Sequence, residues 1–119
     1  MTQSQSAGEE FLRLFHPEAR ALVSYRDDGT VHAMGPFGRW RHIGTRKASI
    51  PLSDWIERKR AAAQDFPAWC REITELPSLQ QLNEWSNDSV CETPTGHIVE
   101  PDGTGPDGVP SWLRCLGLI

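Results

Sequence analysis

The side chains of this 119-residue chain with nucleophilic or metal-ligating chemistry are three cysteines (Cys70, Cys91, Cys115) and four histidines (His16, His32, His42, His97). Their spacing matches no local catalytic signature. The chain has no nucleophile elbow, no phosphate-cradling glycine loop, no H-E-x-x-H and no local triad pattern. Cys70 lies in Ala68-Trp69-Cys70, where a small buried hydrophobe fits better than an activated thiol. The adjacent carboxylates Asp27 and Asp28 precede Gly29 and are accounted for by a turn. The sequence therefore predicts a protein with no catalytic function. Zinc asks for four ligands, usually in close Cys pairs, and no C-x-x-C is present. The expectation is no bound cofactor, with zinc as the alternative. An odd cysteine count without compact spacing fits a reducing cytoplasm better than a disulfide framework.

Charge is more informative than reactivity. The net charge is −4, but residues 39–60 carry seven bases against Asp54 and Glu57, a local charge of +5. Residues 61–110 carry nine carboxylates against Arg71, a local charge of −8. Such segregation fits two solvated or mutually facing halves, and it also fits steering of a charged partner. In the basic half, Arg39, Trp40, Arg41 and Arg46 interleave charge with an aromatic able to stack on a base. The same pattern suits a half-buried strand, and a pI near 5.5 is far from that of nucleic-acid binders. In the acidic half, the carboxylates suit imitation of phosphates in a basic groove.

The elements that position these residues read as follows. Residues 1–6 are polar and predicted to be disordered. Ser6 with Glu9 makes a capping box for a short helix over Phe11 to Phe15, ended by Pro17. Residues 21–25 and 30–34 flank Asp27-Asp28-Gly29, a hairpin signal, and Phe37, Trp40 and Ile43 suggest a third strand. Ser53 opens a helix over 54–64, whose early acids and late bases suit the helix dipole. Residues 68–73 give a further turn or two. Leu79, Leu82 and Trp85 share one face of a helix over 78–86. Residues 88–119 are punctuated by Gly and Pro, then end on Trp112, Leu113, Cys115, Leu116, Leu118 and Ile119 in a helix starting with Pro110 at its first position. Burial is what keeps such an end out of water, so the segment is predicted to dock. The whole is α+β: a small antiparallel sheet packed with three to four short helices and a loop-rich end, one domain over 7–119. The start lacks a basic and apolar leader, and no run approaches the ~20 apolar residues of a membrane helix. A cytoplasmic protein without membrane contact is expected.

The later part of the chain resembles the C-terminal segment of short accessory proteins carried by phages, conjugative plasmids and integrative elements. The likeness rests on Leu79, Leu82, Trp85, Cys91-Glu92-Thr93, Val99-Glu100-Pro101-Asp102-Gly103, Pro110-Ser111-Trp112-Leu113 and Leu116-Gly117. It implies a small knuckle with Cys or His at the positions of Cys91, His97, Gly105 and Asp107; Gly105 cannot ligate, which leaves the set incomplete here. It also implies a non-catalytic accessory protein that binds a host protein or nucleoprotein complex, such as an inhibitor of a nucleic-acid-targeting defence system of the anti-CRISPR kind. Candidate contacts are Arg39, Trp40, Arg41, Arg46, Trp55, Arg58, Lys59 and Arg60 on one side, or Glu72, Glu75 and Glu84 on the other. The alternative is a small DNA- or RNA-binding regulator that uses residues 39–60.

Overall fold

The structure is a computed structural model that describes residues 8–119. The capping box at Ser6 and the disorder expected for 1–6 fall outside the described residues. Four strands, β1 (Glu10–His16), β2 (Ala21–Arg26), β3 (Thr30–Met34) and β4 (Arg41–Thr45), form an antiparallel meander in chain order. The Asp-Gly turn works as its chemistry demands. Gly29 takes φ +87°, and the Asp28 carboxylate accepts hydrogen bonds from Thr30 N (2.9 Å), Thr30 Oγ1 (2.5 Å) and Gly8 N (2.9 Å). These bonds hold its carboxyl down at about 2, and with Asp27 they fasten the chain entering β1.

Residues 10–16 are a strand and not the expected helix. A seven-residue run that is apolar on both faces fits either period, and here tertiary burial decides: Phe15 points to one side of the sheet and Leu14 to the other, and both are fully buried. The third strand also differs. Phe37 and Trp40 lie in the β3–β4 loop, and only Ile43 lies on β4.

On one face, Phe15, Leu22 and Met34 follow one another across the sheet register. Helices α2 (Ala68–Glu72), α3 (Leu79–Asn87) and α4 (Trp112–Cys115) supply the rest of this core, with Leu82, Trp85, Cys91, Leu113 and Leu116. Phe15 stacks on Trp69 (5.7 Å) and meets Trp112 edge-on (5.6 Å). The opposite face carries Leu14, Val23 and Ala33, flanked by Tyr25, and is lined by the 12-residue helix α1 (Leu52–Ala63). Trp55 of α1 meets Phe11 edge-on at 5.6 Å, and Lys59 Nζ stands 5.7 Å over the Tyr25 ring. Helix α1 starts two residues earlier than Ser53 would set it, because Pro51 occupies the cap with its φ already near the helical value. Helix α3 is capped by Ser78, whose Oγ accepts from Gln81 N at 3.0 Å.

The segment after α3 forms a two-stranded ribbon, β5 (Cys91–Glu92) with β6 (Ile98–Val99), around a turn with Gly96 at φ +91°. Ser111, and not Pro110, sets the start of α4: its fully buried Oγ accepts from Arg114 N (3.1 Å) and donates to Pro101 O (2.5 Å). Docking holds for Trp112, Leu113 and Leu116, which are buried. It does not extend to Leu118 and Ile119, which are 39% and 64% exposed.

Candidate binding surfaces

The candidate contact residues separate into several places. Arg39 and Arg41 are exposed where β3 ends and β4 begins. With Arg20 they line an open cleft of about 470 Å³ that also holds Phe37 and Leu118 and has no carboxylate in its wall. Phe37, at the tip of the Gly35-Pro36-Phe37-Gly38 loop, is 75% exposed. A neighbouring cleft of about 400 Å³ shares Phe37 and Leu118 and adds Leu79 and Leu82 of α3, so the apolar surface runs from the loop to the helix. Leu79, placed by periodicity on the buried face of α3, is 52% exposed and belongs to this surface. Arg20 takes φ +54° in the β1–β2 turn, and its side chain lies over Gly117, where a Cβ would come within 2.5 Å of Arg20 Nη1.

Trp55 is 5% exposed and packs under α1, so it is not a contact anchor; its ring serves the apolar stripe that holds the helix to the sheet. Trp40 is half-buried, packed on the main core, with the Arg13 guanidinium 4.9 Å over its ring. Arg46 turns inward, donating from Nη1 to Lys47 O (3.2 Å) and to Ile50 O. Arg58 is exposed, and Arg60 lies 5.4 Å over Phe11. Arg46, Arg58 and Lys59 nevertheless meet, with Lys47, around a second carboxylate-free cleft of about 300 Å³. Glu72, Glu75 and Glu84 are all exposed on or beside α2 and α3, and Gln80 Nε2 donates to Glu84 Oε1 at 3.4 Å.

The sheet also assembles a polar row. Arg13, Ser24, His32 and His42 are successive register partners across β1 to β4 and share one face. Glu10 Oε2 accepts from Arg13 Nε (2.9 Å) and from Ser24 Oγ, while the His32 and His42 ring centres are 5.4 Å apart. Burial, then Arg26, then His42 hold His32 below its ordinary value. The row makes no nucleophile, because Ser24 is fully buried and its hydroxyl is committed to the Glu10 carboxylate. Burial pushes the Cys70 and Cys115 thiols up to about 11, so neither offers a thiolate at neutral pH.

The metal knuckle fails on ligand number. His97 Nε2 stands 3.6 Å from Asp107 Oδ2, and a Cβ on Gly105 would fall 3.0 Å from Asp107 Oδ1 and 3.4 Å from His97 Cβ. These three positions thus converge. Cys91, however, is buried in the core and donates to Glu92 O, and no three His, Cys, Asp or Glu residues gather among the described residues. Hydrogen bonds hold the turn instead: Asp107 accepts from Thr95 Oγ1 (2.6 Å) and Val109 N (3.2 Å), which, with His97, lower its carboxyl. The residues present do not make a zinc shell.

Sequence reasoning missed Arg20 and Phe37. Nothing in the sequence marks Arg20. An aromatic between Gly-Pro and Gly does signal a protruding tip, and that signal was available for Phe37. Comparison with family models, with curated proteins and with solved structures gave no match. Fold and surfaces together define an α+β domain with an apolar patch rimmed by arginines and a separate basic cleft.

Proposed function

We propose that this chain is a non-catalytic binding protein whose partner is another protein, engaged through Phe37, Leu79 and Leu118 and the arginines beside them. One observation carries the reading: a three-quarters-exposed Phe37 stands in a cleft with Arg20, Arg39 and Arg41 and no opposing carboxylate. Aromatic and arginine side chains around an apolar centre are the composition of interface hot spots. An acidic partner surface with an apolar anchor complements it, and attraction to such a surface speeds encounter. The resemblance of residues 79–117 to accessory proteins of mobile elements directs the reading to a cytoplasmic host protein or nucleoprotein complex, including a nucleic-acid-targeting defence system. Among the described residues no helix is long and apolar enough to cross a membrane.

The test places a photo-crosslinking residue at Phe37 and, as a control, at Ile98, another strongly exposed apolar side chain, on β6. The expected result is one stoichiometric protein product from position 37 that survives nuclease, is absent from position 98, and is lost when Arg39 and Arg41 become Glu. Equal products from both positions, or indifference to the charge reversal, overturn the proposal.

A further inference from the structure

The cleft between the end of β4, the 46–51 loop and the middle of α1 is separate from the Phe37 patch, and its chemistry is narrower. Arg46, Lys47, Arg58 and Lys59 converge on about 300 Å³ with no carboxylate in the wall. None of the four forms an ion pair among the described residues. Asp54 and Glu57 share α1 with Arg58 and Lys59 but do not line the cleft. Four cations brought together without a counter-charge repel one another, so an anion that bridges them gains from each.

Arg46 shows how the site is built. Its Nη1 is spent on the carbonyls of Lys47 and Ile50, which fixes the plane of the guanidinium. Its stem packs over Gly29, where an added Cβ would sit 3.2 Å from Arg46 Cβ. Its Nε–H is buried against Gly29 and has no hydrogen-bond partner among the described residues. A guanidinium fixed through Nη1 is held in one plane, and its Nη2, which carries two N–H groups, is the edge it can offer to an oxygen acceptor in the cleft. Lys59 is steadied by the Tyr25 ring, while Lys47 and Arg58 are exposed and free to close over a ligand.

We propose that this cleft binds a phosphate group, presented either as a free phosphate ester or as the backbone of a nucleic-acid strand. Phosphate supplies the charge and the several acceptor oxygens that four donors arranged around a small opening require. Trp55 floors the cleft but is buried, so no base stacks there and recognition is of the phosphate alone. This inference does not depend on the protein-binding surface.

The probe is inorganic phosphate, followed through the Arg46 Nε–H signal in ¹H–¹⁵N spectra of the full chain. The expected result is a saturable shift of that signal, absent with chloride at the same ionic strength. Lys47→Gln with Arg58→Gln, both exposed and outside the core, weakens the affinity about tenfold by removing two charge-assisted contacts. A still Arg46 signal, an equal response to chloride, or an unchanged affinity in the double variant overturns the proposal. Two further arms assign the source. A short single-stranded oligonucleotide that binds more tightly than a nucleoside monophosphate, with a log affinity falling by about 0.7 per phosphate contact against log salt, identifies a strand backbone. The reverse order identifies a free phosphate ester.

Discussion

Replacing Trp112 by Ala tests whether the loop-rich end is part of the core or merely rests on it. Trp112 is 7% exposed and meets Phe15 edge-on at 5.6 Å. A buried Trp removes about 150–250 Å² from water, which at about 25 cal/mol per Å² is about 4–6 kcal/mol as an upper bound. Trp-to-Ala changes in cores cost about 3–5 kcal/mol, so about 4 kcal/mol is expected. That is a large part of the roughly 5–15 kcal/mol that holds a domain folded. In urea, with a slope of about 1.5 kcal/mol per M, the midpoint should fall by about 2.7 M. Trp112→Phe should recover most of the loss, and Ile119→Ala, at a position 64% exposed, should cost less than about 0.5 kcal/mol. A Trp112→Ala loss below about 1 kcal/mol, with amide protection at Phe15 and Leu22 unchanged, would refute the packing argument.

Gly117→Ala should destabilise by about 1 kcal/mol or more, because φ is +72° and the new methyl meets Arg20; thermal unfolding reads the loss, and Arg20→Ala should relieve part of it. Asp28 has a depressed carboxyl, at about 2, so its contribution is complete above the unfolded value near 4 and is lost as pH falls toward 2. Because Asp28 is exposed the effect is small, below about 1 kcal/mol after screening, and Asp28→Asn should flatten the acid limb of a stability-against-pH curve between those values.

Local chemistry made some of these elements legible. Asp-Gly between two apolar runs marked the β2–β3 hairpin, and charge order marked α1, because both signals act within a few residues. The run from Phe11 to Phe15 misled because α1 covers one face of β1 and α2 and α4 the other, so its apolar residues show neither period cleanly. Tryptophan was the least legible residue. Trp40 stands between two arginines and Trp55 shortly before the basic run Arg58 to Arg60, yet one packs under Arg13 and the other under α1, and only tertiary contacts decide that. The basic segment was legible as charge but not as sites. The backbone bond from Arg46 N to Gly29 O (2.7 Å) and the turn closed by Ile50 N on Lys47 O (3.0 Å) bring Arg46 beside Arg58 and Lys59. The same folding leaves Arg39 and Arg41 in another cleft, with Arg20 from a turn about twenty residues earlier.

The order in which the core closes has a consequence for synthesis. The meander joins strands that follow one another in the chain, so it can pair while residues beyond β4 are still being made. Its Phe15 and Leu22 side, however, is fully covered only when Trp112, Leu113 and Leu116 join Trp69, Leu82 and Trp85. A chain ending between residues 88 and 111 keeps the sheet with α2 and α3 but lacks the part of the cover that α4 supplies. Residues 112–116 therefore complete the core last, and a chain cut before them is expected to expose more apolar surface than the full chain.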